Sequence, residues 1–147
     1  MIVYRITKEE FSRELKASGY PARWNYKGTY IIYTAESRSL ACLENLVHRS
    51  GEGGNNLYKV MLIQIPDNVK IEVIETGQLK KDWQKIENYS YCQALAANWI
   101  AGLKTAILKV PSVFIKNEFN YLINPAHADF KKIKLTATED FIFDARF

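Results

Sequence analysis

Cysteine and histidine are both scarce in this chain of 147 residues: Cys42 and Cys92, His48 and His127. No C-x-x-C spacing links the cysteines, which argues against a zinc site and against a disulfide scaffold. Two histidines exclude a His-rich metal centre, so no metal is expected. Seven glycines and four prolines are too few for a low-complexity or collagen-like chain. No run approaches the ~18 apolar residues of a membrane span. The opening Met1-Ile2-Val3-Tyr4-Arg5 lacks the basic and then apolar pattern of a signal peptide. The expected compartment is therefore a reducing cytoplasm, with no membrane partner. No glycine-rich phosphate loop of the Rossmann or P-loop type is present.

What is there is the composition of an ordinary globular domain, 48% hydrophobic and 24% charged. The length fits one domain over residues 1–147, long enough to bury a core without a staple. The net charge of +4 is mild and the basic residues are scattered. The densest groups, Lys80-Lys81 and Lys131-Lys132-Ile133-Lys134, are not interleaved with aromatics as in single-strand binders and read as solvated faces. The charge would help hold an anionic small molecule or an acidic partner.

Along the chain, residues 2–6 predict a strand. Thr7-Lys8-Glu9-Glu10 has the T-x-x-E form of a capping box and predicts a short helix to about Lys16. Residues 21–28 read as loop, and residues 30–34 as a strand rich in β-branched and aromatic side chains. Ser37 caps a predicted helix over residues 38–49, closed by Ser50-Gly51, with a loop over residues 51–56. A strand over residues 57–65 stops at Pro66, and residues 70–74 are expected beside it. Residues 91–103 are Ala-rich and helical. Further strands are predicted over residues 106–110, 120–123, 133–136 and 141–143. Strands outnumber helices and are mixed with them, so the fold class is α/β or α+β around one twisted sheet.

Several residues do not fit a purely structural role. Leu40, Leu43 and Val47 form a helical stripe, and Glu44 lies on it. A carboxylate there either pairs with an arginine or works in a cleft. Arg23, beside Trp24 in a loop, can clamp a phosphate or carboxylate bidentately, or stack on Trp24 at the surface. Arg5 shares a strand face with Val3 and needs an anion if covered; Glu44 or a ligand phosphate would serve. Tyr33 is expected to pack with its hydroxyl at an edge. Ser112 sits at a strand tip after Val110-Pro111; with no G-x-S-x-G elbow it reads as a hydrogen-bonding group rather than a nucleophile. His127 reads as a structural turn residue, and Cys42 as a helical residue next to the apolar stripe.

These pieces resemble a family, the RES-domain toxins. The resemblance runs through Val3-Tyr4-Arg5-Ile6, Ala22-Arg23-Trp24-Asn25 with Gly28, Ile32-Tyr33-Thr34-Ala35-Glu36-Ser37, Leu40-Ala41 with Glu44, Leu108-Lys109-Val110-Pro111-Ser112, residues 120–127 and Phe143-Asp144-Ala145-Arg146. Residues 51–83 carry little of it. The resemblance implies a fold similar to ADP-ribosyltransferase toxins, a split mixed sheet with an NAD cleft between its halves. It implies an NAD-degrading toxin of a toxin–antitoxin pair, with NAD as substrate and no prosthetic group. The implied partner is an Xre-type helix-turn-helix antitoxin. DNA contact would then be indirect, through the antitoxin, and the complex is expected to be oligomeric. Residue by residue, it assigns catalytic roles to Glu44, Arg23 and Tyr33, and NAD binding to Arg5, Arg23, Tyr33 and Ser112. Asn124 and His127 match a family motif and are expected to be structural. The acceptor stays open between water, phosphate and a protein side chain, which makes a mono-ADP-ribosyltransferase the first alternative. A non-catalytic antitoxin-binding module is the second. An RNase is disfavoured because neither histidine has an evident partner.

Overall fold

The computed structural model of the protein describes residues 1–49 and 57–147, the Arg49 side chain excepted. The expected helix closure at Ser50-Gly51 and the loop over residues 51–56 lie outside the described residues. Among the described residues, seven strands form one mixed sheet: β1 (Ile2–Lys8), β2 (Ile32–Ala35), β3 (Tyr58–Gln64), β4 (Ile71–Val73), β5 (Ile107–Pro111), β6 (Phe119–Ile123) and β7 (Lys134–Phe141). The two α-helices among the described residues are α1 (Arg38–Arg49) and α2 (Tyr89–Gly102). The strand order is β4-β5-β6-β2-β1-β3-β7.

Alternation along the strands makes two apolar faces. Val3, Ile32, Met61, Ile63, Ile107 and Ile123 bury one, covered in part by Ala17, Val69 and Ile133. On the other, α1 sets Leu40 and Ala41 against Ile6, Ala35 and Val60. α2 sets Cys92, Ala96 and Trp99 against Leu108, Val110 and Leu122, so both helices share this face. Each fully buried aliphatic side chain of this kind contributes about 1.5–3 kcal/mol. α1 begins as its sequence predicts, with Ser37 Oγ accepting the Leu40 amide at 3.1 Å. Such a cap is worth ~1 kcal/mol.

One seam interrupts this sheet. β1 pairs with β3 over seven residue pairs, whereas β1 meets β2 at a single pair, Tyr4↔Ala35. Continued pairing would next join Arg5 to Thr34 and Ile6 to Tyr33, but the strands splay there. The sheet is thus split into a β4-β5-β6-β2 half and a β1-β3-β7 half whose ladders join at one residue pair.

Three expectations change. The capping box does not start a helix: Thr7 and Lys8 are spent on the β1 ladder, paired with Lys59 and Tyr58. Only a 3-10 turn over Glu9–Phe11 follows, and Leu15 and Ala17 then pack alternately into the core as extended chain. β4 is not the neighbour of β3, whose two edges are filled by β1 and β7. It lies at the far edge, parallel to β5 and joined to it through α2, as a parallel pair requires. The two short C-terminal strands are one strand, β7, whose polar Thr136, Thr138 and Glu139 are tolerated because it is an exposed sheet edge.

Candidate functional site

The splay between β1 and β2 opens into a cleft of about 550 Å³, within the range of small-molecule sites. Its walls come from β1 (Tyr4, Arg5, Ile6), β2 (Tyr33, Thr34, Ala35) and the third turn of α1 (Glu44, Asn45, Val47, His48). The loop before β2, the loop before α2, and Phe114 and Asn120 complete it. Aromatic rings line it from several sides, among them Tyr20, Trp24, Tyr33 and Tyr89.

Glu44 enters this cleft and pairs with no arginine among the described residues. Its Oε1 accepts a hydrogen bond of 2.7 Å from Asn120 Nδ2. Burial pushes the carboxyl above the usual range; the Asn120 hydrogen bond, and then His48 and Arg23, draw it back. The helical stripe ends sooner than periodicity predicts. Leu40 is buried, but Val47 is 50% exposed because the last turns of α1 overhang the cleft instead of the sheet.

Tyr33 lies on β2 two residues before the seam residue Ala35. Its hydroxyl donates to Asn25 Oδ1 and accepts the Trp24 amide at 3.1 Å. Burial raises its ionisation far above the ordinary phenol value, so it stays neutral. Asn25 is the organiser of the preceding loop: its Nδ2 donates to the carbonyls of Tyr20, Thr29 and Tyr26. Gln93 of α2 adds bonds to the Ala22 and Asn25 carbonyls at 2.9 and 3.0 Å. The loop is closed at its base by the Gly28 amide on the Gly19 carbonyl, with both glycines at positive φ.

Arg23 lines the cleft, but its guanidinium is turned to the protein. Nη1 donates to the buried Trp83 carbonyl at 2.7 Å, and Nη2 to the Gln84 carbonyl at 2.6 Å. The guanidinium carbon sits 4.4 Å from the Tyr89 ring centroid. Arg23 therefore ties the loop before β2 to the segment that supplies Gln84, Ile86 and Tyr89 to the opposite wall. The surface arginine stacked on Trp24 is not found; Arg23 is 8% exposed.

Arg5 also lines the cleft. Burial lowers its basicity, and its Nη1 donates to the Lys16 carbonyl at 3.1 Å. It has no hydrogen bond with Glu44. Ser112 is buried beside the cleft rather than on its wall. Its Oγ accepts the amides of Phe114 and Ile115, both at 3.1 Å, and so shapes the turn that presents Phe114. Asn124 and His127 organise a turn: Asn124 Oδ1 accepts the Ala126 amide and His127 Nδ1 the Asp129 amide.

The structure thus gathers Glu44, Tyr33, Arg23 and Arg5 around one cleft and sets Ser112 behind it. Sequence reasoning gave no role to Asn25, Asn45 or Asn120. The signal for Asn120 was available: alternation puts a carboxamide on the face of Leu122, in a strand where that face is buried. Asn45 Nδ2 donates to the Ile6 carbonyl at 2.9 Å, just beyond the last β1–β2 pair. Among the described residues, no group of three His, Cys, Asp or Glu could hold a metal. No helix among them is long and apolar enough to cross a membrane.

Comparison with known proteins bears on the family and the fold. The RES domain matches residues 2–144. The chain is 39% identical over 127 residues to the Prs ADP-ribosylating toxin of Sphingobium sp. strain YBL2, covering 84% of this chain and 78% of that protein. It is 30% identical to Toxin Res of Photorhabdus laumondii subsp. laumondii, covering 99% and 96%. Among solved structures, the M. tuberculosis MbcT–MbcA toxin–antitoxin complex contains a chain that superposes with a TM-score of 0.76. It covers 96% of this chain and 84% of that one, at 19% identity, a likeness of fold.

Proposed function

The chain belongs to the RES domain family, and on that premise we propose that it is an NAD-degrading toxin that cleaves the nicotinamide–ribose bond. The observation that carries the reading is a carboxylate, Glu44, held by one neutral donor inside an aromatic-lined cleft of about 550 Å³.

The chemistry suits such a site. The bond between ribose C1″ and the pyridinium nitrogen breaks with its electron pair going to the ring, and nicotinamide leaves neutral. No strong acid is required. Positive charge grows on the ribose, and a fixed anion in a low-dielectric site stabilises it where water would do so poorly. Glu44 is the anion. The neutral phenol of Tyr33 and the rings around it offer a face for the nicotinamide. Arg23 shapes the wall by holding residues 83–85, and Arg5 supplies positive charge for a pyrophosphate. The acceptor then bonds to C1″ and gives up its proton to solvent or buffer.

Water as acceptor makes a glycohydrolase and inorganic phosphate a phosphorylase. A protein side chain makes an ADP-ribosyltransferase, a reading favoured by the name of the Sphingobium relative, an ADP-ribosylating toxin. An antitoxin partner is a reading supported by the likeness of fold to a chain of a solved toxin–antitoxin complex. It would cover the cleft mouth, where Tyr20, Ile86 and Val47 are exposed.

The deciding experiment is an NMR time course of NAD with purified protein, with and without phosphate, beside Glu44→Gln. Free nicotinamide with ADP-ribose establishes hydrolysis. ADP-ribose-1″-phosphate formed only when phosphate is present establishes phosphorolysis. NAD left intact, even when a cell extract is supplied as a source of protein acceptors, overturns the NAD reading. Unchanged turnover in Glu44→Gln overturns the role of that residue.

A further inference from the structure

The partner of Glu44 is chemically specific. A carboxylate drawn into a cleft needs a donor, and arginine is the usual one. Here the donor is the carboxamide of Asn120, at 2.7 Å, and no cation bonds Glu44 among the described residues. Asn120 stands on β6 in register with Val110 of β5 on one side and Ala35 of β2 on the other. Ala35 is the residue that meets Tyr4 at the seam. The amide is thus mounted on a row of the sheet paired on both sides, directly beside the point where the halves part. Its Oδ1 is buried with no hydrogen-bond partner among the described residues. Glu44 alone therefore decides which way the amide faces: a flipped amide would set oxygen against carboxylate oxygen.

We propose that Asn120 is a positioning residue for the reaction: it holds the Glu44 carboxylate in its anionic form and in one orientation toward the cleft. This rests on the NAD reading above for its consequence, though not for its geometry. An amide suits the task better than an arginine. A guanidinium would place a permanent positive charge beside the ribose where positive charge develops, cancelling what the carboxylate offers. A neutral dipole orients the anion and leaves its charge intact. The other titratable and charged groups that line the cleft with Glu44 are His48 on its own helix, Tyr20 and Arg23 in the loop before β2, Tyr4 and Arg5 on β1, Tyr33 on β2 and Tyr89 on α2. None of these hydrogen-bonds its carboxylate.

The test uses N120A, which deletes the donor, and N120D, which keeps size and shape but substitutes an acceptor. Two readouts run in parallel on the whole chain. The first is the pH profile of NAD cleavage. In N120A the activity at pH 5.5 relative to pH 8 is expected to fall about tenfold more than in wild type, with kcat carrying the loss and KM within about threefold. N120D is expected to fall further. The second is the ¹³C titration of the Glu44 carboxyl, assigned by its disappearance in E44Q, which needs no turnover. Its midpoint is expected to rise in both variants. An unchanged midpoint in folded N120A and N120D overturns the proposal. If wild type leaves NAD intact, the NAD reading fails, and the titration still decides whether Asn120 governs Glu44.

Discussion

Replacing Arg23 with alanine separates two roles that its place in the cleft leaves side by side. A residue that grips substrate can be removed with little loss of stability; a residue that clasps the backbone cannot. The guanidinium makes two short charge-assisted bonds, to the carbonyls of Trp83 and Gln84 at 2.7 and 2.6 Å. Bonds of this type contribute about 1.5–3 kcal/mol each. The Tyr89 face at 4.4 Å adds roughly 0.5–2 kcal/mol. Water can reach the Gln84 carbonyl in the variant and recover part of the loss, whereas the Trp83 carbonyl is buried. R23A is therefore expected to lower unfolding free energy by about 3–5 kcal/mol. For a chain of this size that is a fall in Tm of roughly 6–20 °C. The assay is urea unfolding followed by circular dichroism at pH 7.5, with calorimetry for Tm and NAD turnover on the same preparations. R23K is expected to recover less than half of the loss, because one ammonium cannot replace a planar fork aimed at two carbonyls. If R23A abolishes turnover while its stability stays within about 0.5 kcal/mol of wild type, the clasp is wrong and the guanidinium serves substrate directly.

Glu44→Gln carries a stability signature as well as a kinetic one. Burial raises the native carboxyl above its unfolded value, so the native state binds the proton more tightly, and this contribution is lost as pH climbs from the ordinary carboxylate range through the raised value. E44Q is expected to be more stable than wild type at pH 8, by a margin that shrinks toward pH 4.5; urea midpoints across that range check it, and a margin growing at low pH refutes it. Gly19→Ala is expected to destabilise more than Gly28→Ala. Both sit at positive φ, costing roughly 1 kcal/mol for a side chain, but a Cβ at Gly19 would also meet the Tyr30 ring at 2.8 Å while Gly28 faces open space; equal Tm losses contradict this. Ser112→Ala removes the acceptor for two amides and is expected to cost ~1 kcal/mol, read as a lower urea midpoint.

What the sequence revealed was what local rules decide. The α1 register, its Ser37 cap and the inward place of Glu44 follow from a 3.6-residue period and one side-chain bond, and the structure keeps all three. Most strands follow from β-branched runs. The helix expected after Thr7 failed because β3 offered a longer ladder to the same residues, a competitor invisible in the local sequence. The place of β4 was equally unreadable, since it depends on which strands had already filled the edges of β3. Arg23 was singled out, but its partners lie 60 and 61 residues away and are backbone carbonyls, which leave no mark on residue type. Asn25 and Asn120 went without a role for a related reason: a carboxamide's task is set by what the fold brings to both of its ends.

The seam has a consequence for recognition. Where β1 and β2 part after Tyr4 and Ala35, two strand margins face each other across the cleft, Tyr4 to Ile6 on one side and Tyr33 to Ala35 on the other. Asn45 already supplies a hydrogen to one such group, the Ile6 carbonyl. Main-chain amides and carbonyls at an interrupted ladder stay in place under any side-chain change other than one to proline. Side-chain changes would then retune what the cleft prefers, while its capacity to grip a polar guest would persist until the strands themselves were closed together.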